Sequence, residues 1–342
     1  MRVRRETPLH KRRKEWSPSS LFFVAMLAFV LVSTLILLTP GASKEPISLV
    51  DAFFTSASAT SITGLTTVNV GGAFTTWGQA VILLDVQVGG VGVMTFSYFI
   101  LLLVGKNLVT RDRTTFSALL DQEGVNVVVL IKAVIFTTLI VEALGAVGLW
   151  CLWYGDPAVP QDNLAFMCVF HSVSAFCNAG ITLFPDNMAT EGLATSYGVQ
   201  SVMMGLTILG TLGFGVYLEA LTRAKNRLKG VRNPKRWTTS TWFCVTSLLI
   251  VMSVGTLVMG LLGALEPSTH SQAVGGAFWE SFWNTVGRSA GFTITDITEY
   301  GPVYHLFICL QMFIGGNPAG TGGGVFVPVF ALCLLEVLRS LR

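Results

Sequence analysis

Between two apolar segments, residues 53–69 read FFTSASATSITGLTTVN, with Ser56, Ser58, Thr60 and Ser61 leading directly into Thr63-Gly64-Leu65-Thr66. The stretch is too polar for a membrane span. Its chemistry suits a short helix that dips into a bilayer and then exposes backbone carbonyls, which can replace the water of a cation. Non-helical backbone is tolerated at membrane depth only where it is buried in protein or lines a watery cavity. A Ser/Thr-rich turn outside the bilayer has the same composition, and this stretch alone does not separate the two.

Two further half-polar stretches do. FHSVSAFCNAGITLFPDN occupies 170–187 and SFWNTVGRSAGFTIT occupies 281–295. Aligned on Gly64, Gly180 and Gly291, the three stretches carry Phe54, Phe170 and Ser281 ten residues earlier and Thr66, Thr182 and Thr293 two residues later. A repeat at spacings of 116 and 111 residues points to one supersecondary unit used three times. Glycine fits because a loop turning its carbonyls toward one axis needs dihedrals that a Cβ penalises. The helix before each glycine would aim its negative C-terminal end at the same place, favouring a cation without an acidic ring.

The positioning elements follow from composition. The 342 residues are 52% hydrophobic and 12% charged, with a mean hydropathy of +0.65, whereas soluble domains carry about 25% charge, so the chain reads as a multi-spanning all-α membrane protein. Apolar segments at 21–38, 76–104, 125–154, 197–221, 241–265 and 303–338 supply the spans. The last is interrupted by Gly315-Gly316-Asn317-Pro318-Ala319-Gly320-Thr321-Gly322-Gly323-Gly324, which cannot stay helical when each Gly costs about 1 kcal/mol and Pro about 3 kcal/mol. Lys and Arg gather in the tail 1–15, at 105–113, at 222–236 and at the C-terminal end. By the positive-inside rule these face the cytoplasm, with both termini, and the three half-polar stretches enter from outside. The organisation is a basic tail (1–15) and three helix–re-entrant loop–helix repeats (16–113, 114–236, 237–342). Scattered Cys and His residues form no ligand pattern, and there is no HExxH, Gly-x-Ser-x-Gly or intramembrane aspartate pair, so no enzyme and no resident cofactor is expected. Asp85, inside the second span, either faces a pore vestibule or hydrogen-bonds to a neighbouring helix.

SATSITGLTT, SAFCNAGITLFPDN, GRSAGFT and GGNPAGTGGG together resemble the Trk/Ktr/HKT superfamily of potassium transporters, with Trk/Ktr membrane subunits most similar. The resemblance implies M1–pore loop–M2 repeats in pseudo-fourfold arrangement around a central pore, of which three of an expected four are present. It implies a K⁺ filter built from the backbone carbonyls of Thr63, Gly64, Leu65, Ala179, Gly180, Ile181, Ala290, Gly291 and Phe292. It makes residues 315–324 an intramembrane gate loop, with Gly315, Gly316, Asn317, Pro318, Gly320, Gly322, Gly323 and Gly324 as its hinge-like backbone. A glycine at the first filter position is associated with K⁺ selectivity. Glu142 is implied as a structural partner, Arg288 as a loop anchor held by a nearby counter-charge, and Asp186 and Asn187 as braces of the second loop. The implied partners are a cytosolic nucleotide-binding regulatory ring, a second copy in a homodimer, and membrane lipid around the inner-membrane spans. No nucleic acid is implied, and any nucleotide or NAD dependence belongs to the regulatory ring. Two departures stand out. Val325-Phe326-Val327-Pro328 replaces the family's usual Ile-Lys-Thr after the gate glycines, and the sequence stops at Arg342, where a fourth repeat would begin. The function expected is K⁺ translocation. The alternatives are a truncated, non-conducting form or a secondary solute transporter with discontinuous helices, although that class often uses inverted repeats.

Overall fold

A computed structural model describes residues 18–107, 127–228, 230, 237–265 and 274–341. The tail 1–15, Arg111, Arg113, Lys229, Arg232, Lys235, Arg236 and Arg342, which carry part of the orientation argument, lie outside the described residues. The protein is an all-α membrane protein. Its long helices are α1 (Pro18–Leu37), α4 (Thr76–Asn107), α5 (Val127–Trp153) and α9 (Thr239–Leu265). Within them Thr76–Thr95, Lys132–Trp153 and Thr239–Leu265 are each long and apolar enough to cross a membrane. Large apolar side chains such as Phe136, Leu144 and Leu261 point outward, as expected of helices whose outer solvent is lipid.

Three shorter helices, α2 (Leu49–Thr60), α6 (Leu164–Phe176) and α10 (Val274–Gly287), each follow a long helix and end at one of the half-polar stretches. Ser48 starts α2: its hydroxyl accepts from the Asp51 N–H at 3.1 Å and donates to the Asp51 carboxylate at 2.6 Å. That hydroxyl, then the Thr67 hydroxyl, hold Asp51 below the usual carboxylate range. The stabilisation is therefore present above the ordinary pKa of about 3.9 and is lost as the pH falls through the lowered value. One turn of helix, α3 (Val70–Ala73), separates the first stretch from α4. A continuous apolar core runs from Leu37 on α1, through Phe170 and Phe176 on α6 and Trp283 on α10, to Val327. The second short helix lies deepest, with ten of its residues buried, so it is the centre on which the other elements pack.

The expected fourth span, 197–221, is not continuous. α7 (Tyr197–Thr211) and α8 (Phe214–Leu228) meet at 97°. Gly213 takes φ +81° at the corner, where a Cβ would also press on the Pro318 carbonyl, and the freed Phe214 N–H donates to the Ala319 carbonyl at 2.9 Å. The break thus depends on a partner about 100 residues away in sequence, which apolar periodicity does not report. Gly213→Ala is expected to destabilise the protein by about 1–2 kcal/mol, the cost of a left-handed L-residue, read as a lower unfolding midpoint in detergent. An unchanged midpoint would show that the corner tolerates ordinary backbone. The glycine-rich decade separates α11 (Pro302–Phe313) from α12 (Val327–Ser340).

Candidate functional site

The first two short helices end in the same way. Ile62 and Asn178 both adopt φ +57°, and the next residue closes a bond five residues back: Thr63 N–H to the Ser58 carbonyl at 2.9 Å, Ala179 N–H to the Ser174 carbonyl at 2.8 Å. This is a Schellman closure made without glycine. Asparagine tolerates that region, whereas β-branched Ile62 is strained in it by about 1–3 kcal/mol. The glycine two residues on then takes positive φ again: +78° at Gly64, +67° at Gly180 and, in the third loop, +87° at Gly291.

These glycines are where the loops meet. A Cβ on Gly64 would overlap the Ala179 carbonyl, and a Cβ on Gly180 would overlap the Ala290 carbonyl. Each glycine therefore lies against the residue preceding the next glycine, in the order first, second, third. Gly291 approaches only Gly180 Cα, at 3.9 Å from its ideal Cβ position. The second loop, flanked on both sides, is buried from His171 through Ile181, and Ile181 is 2% exposed. Leu65, its counterpart on the outer flank of the first loop, is 62% exposed. Three C-terminal helix ends, each with a partial negative charge of up to about half an electron, converge on one place.

Three of the nine expected filter carbonyls also accept a hydrogen bond from the protein. The Ile181 carbonyl accepts from Ser174 Oγ at 2.7 Å, and the Phe292 carbonyl accepts from Trp283 Nε1 at 3.1 Å. Both are turned back toward their own short helix, because the chain leaving the glycine must fold against it. The Gly291 carbonyl accepts from Asn187 Nδ2 at 3.1 Å. Among the described residues the carbonyls of Thr63, Gly64, Leu65, Ala179, Gly180 and Ala290 accept no bond from the protein.

Residues 313–327 form a loop pinched at its neck: Gly315 N–H donates to the Val325 carbonyl, Val325 N–H to Phe313, and Val327 N–H to Gly316, at 2.9–3.0 Å. Its tip is fastened to the broken α7, with Asn317 N–H on the Thr211 carbonyl, Thr321 N–H on the Gly210 carbonyl and Asn317 Nδ2 on the Leu212 carbonyl. It is also fastened to the second glycine loop. Asn178 Nδ2 donates to Thr321 Oγ1 at 2.7 Å, Thr321 Oγ1 donates to the Phe176 carbonyl at 2.9 Å, and Ser289 of the third loop donates to Asn178 Oδ1 at 3.0 Å. Asn178, 1% exposed, joins both loops to the glycine-rich segment.

The family described as "TrkH: Cation transport protein" matches residues 20–326. The chain belongs to this family. It is 31% identical over 335 residues to the Ktr system potassium uptake protein B of Bacillus subtilis, covering 96% of this chain and 72% of that protein. It is 32% identical over 325 residues to the protein of the same name from Vibrio alginolyticus, covering 94% and 69%. The crystal structure of the potassium transporter TrkH from Vibrio parahaemolyticus shares the fold, with a TM-score of 0.73 at 20% identity over 97% of this chain and 64% of that one. The family is one of membrane transporters, not enzymes.

In this TrkH-family chain the isolated charged residues are held within the packing of the loops and helices. Asp85 is fully buried and accepts from Ser33 Oγ on α1 at 2.5 Å, a helix-to-helix bond and not a vestibule position. Glu142 stands behind the second loop, its carbonyl accepting from Ser172 Oγ at 2.6 Å and its carboxylate facing Cys177 Sγ at 3.7 Å. Arg288 anchors the third loop through carbonyls, donating to Thr285 at 2.7 Å and to Ile314 at 3.3 Å. The expected counter-charge is not among its partners in the described residues. Two carbonyls suffice, because the bonds run to the necks of two loops that must stay together. Asn187 reaches the third loop through Nδ2 and its own segment through Oδ1, which accepts from Met188 N–H at 2.8 Å, whereas Asp186 is exposed and supplies its carbonyl to Ala189 N–H. His171, Asn178 and Ser174 were given no role by the sequence, and Thr321 none beyond membership of residues 315–324. His171, fully buried, contacts the Met167 carbonyl through Nδ1 at 2.8 Å and accepts from Leu183 N–H at Nε2, pinning the exit of the second loop. A signal existed for Asn178 alone: a residue type that tolerates positive φ, two positions before a glycine.

Proposed function

We propose that this chain is the pore-forming part of a potassium uptake system. K⁺ passes the ring of unoccupied carbonyls at Thr63, Gly64, Leu65, Ala179, Gly180 and Ala290, and the loop 315–324 gates the path. The observation that carries this reading is the consecutive seating of Gly64 on Ala179 and Gly180 on Ala290, which brings loops more than 100 residues apart in sequence to one point. The names of the two relatives above, potassium uptake proteins, support K⁺ as the cargo. We further propose the repeat boundaries 16–113, 114–236 and 237–342, both termini in the cytoplasm, a homodimer, and a cytosolic nucleotide-binding ring as regulator. Expression of the complete open reading frame should restore growth of a K⁺-uptake-deficient bacterium at low K⁺; failure with confirmed membrane insertion would count against the reading.

Gly64→Ser tests the filter itself. The added Cβ meets the Ala179 carbonyl, yet the first loop has an exposed flank toward which it can shift. The ring then widens without collapsing, so uptake persists while the K⁺/Na⁺ permeability ratio falls, by about tenfold for each 1.4 kcal/mol of lost discrimination. Unchanged ratios in flux assays would remove Gly64 from the filter.

A further inference from the structure

Where α7 bends into α8, an apolar groove of about 420 Å³ opens between α7, α9 and α10, lined by Leu212, Val245, Leu248, Met252, Leu257 and Phe282 among others. On α9 the lining residues Val245, Leu248, Met252, Ser253 and Thr256 share the helical face that continues downward to Thr241 and Thr238. That lower part of the face is taken by α8: Glu219 accepts from Thr238 and Thr241 at 2.5–2.9 Å. The helix α8 therefore crosses α9 about one turn before Val245, just beyond the end of the groove. Arg223 lies there, 3.5 Å from Glu219 and with its guanidinium 4.4 Å from the Trp237 ring centroid, and Arg227 follows one turn on, exposed. Lys225 is exposed beside it, and Leu221 and Leu228 on another face are 53% and 90% exposed. A basic helix turned 97° from its spanning partner, with exposed leucines, has the character of an interfacial helix lying in the headgroup plane.

We propose that this groove binds one acyl chain of an anionic phospholipid whose phosphate is held by Arg223 and Arg227. The dimensions select the occupant. From Val245 to Leu257 the groove follows α9 for about 18 Å, close to the roughly 15 Å of one leaflet's hydrocarbon. A helix about 10 Å wide over that length would need well over 1,000 Å³, more than twice the space available. The charge just beyond the end of the groove selects an anionic over a zwitterionic headgroup. The site lies outside the proposed pore, and its binding test does not depend on that reading. It does reach the glycine-rich loop, because α8 begins at Phe214, whose N–H holds the Ala319 carbonyl.

The test measures retention of phosphatidylglycerol against phosphatidylcholine of identical acyl chains by the delipidated full protein, using native mass spectrometry. The unmodified protein is expected to retain phosphatidylglycerol about tenfold better. Arg223→Gln with Arg227→Gln should erase that preference while both lipids still bind weakly, and Ser253→Trp, which fills the groove, should abolish retention of both. If loss of the Glu219 and Trp237 contacts prevents folding, Arg227→Gln alone carries the charge arm, with an expected loss of at least threefold. Glycerol phosphate should not compete, since it lacks the chain. Preference surviving the arginine variants, or retention surviving Ser253→Trp, would overturn the site. So would a groove-filling variant whose only effect is loss of self-association, which would make the groove an interface between copies.

Discussion

Gly180→Ala is expected to abolish uptake, with rubidium flux into vesicles falling more than tenfold. The second loop is buried between the other two, so the new methyl has nowhere to go. It would overlap the Ala290 carbonyl on one side while the backbone is held at φ +67°. Left-handed strain of about 1–2 kcal/mol and overpacking of about 1–3 kcal/mol both follow from the one added methyl. The total is a large share of the roughly 5–15 kcal/mol that holds a typical fold, so the protein can still assemble while the meeting point of the loops does not. The contrast with Gly64→Ser is the informative part: one loop can yield toward an exposed flank, the other cannot. Flux within about twofold of the unmodified protein would show that the second glycine is not at the narrow point.

Asn178→Ala is expected to release the glycine-rich loop. Its amide donates to Thr321 and to the Thr207 carbonyl and accepts from Ser289, at 2.7, 3.3 and 3.0 Å, all away from water. At roughly 0.5–1.5 kcal/mol for each bond, the truncation should cost about 2–4 kcal/mol. Combined with Thr321→Val it should be non-additive by about 1 kcal/mol, the mark of a direct bond. With the loop read as a gate, K⁺ leak from proteoliposomes in the absence of any regulator should rise severalfold. An additive pair together with an unchanged leak would show that the second glycine loop and the glycine-rich loop are not coupled through this residue.

The spans, the three half-polar stretches and the break at 315–324 were legible because each depends on local composition. About twenty apolar residues must cross a bilayer, hydroxyl-rich stretches cannot, and a decade with six glycines cannot remain helical. The glycine alignment was legible because positive φ restricts residue choice, and the structure finds positive φ at all three positions. Other features depend on where side chains point once the loops have folded, which residue type alone does not set. Which carbonyls remain unpaired was decided by Ser174, Trp283 and Asn187 reaching back to the loops. Asp85 resolved into a helix contact only because Ser33 lies opposite it, and Arg288 found carbonyls where a counter-charge was expected.

The sequence by itself therefore determined the membrane-spanning all-α class, the three half-polar loops with their glycines and the broken last segment. These follow from hydrophobicity and backbone freedom, which are properties of residues one at a time. Only the tertiary structure decided that α7 breaks at Gly213, that Asn178 ties two glycine loops to the glycine-rich segment, and that an apolar groove opens between α7, α9 and α10. The first two are hydrogen-bond relations between residues 105 to 145 positions apart, and no single stretch encodes both partners.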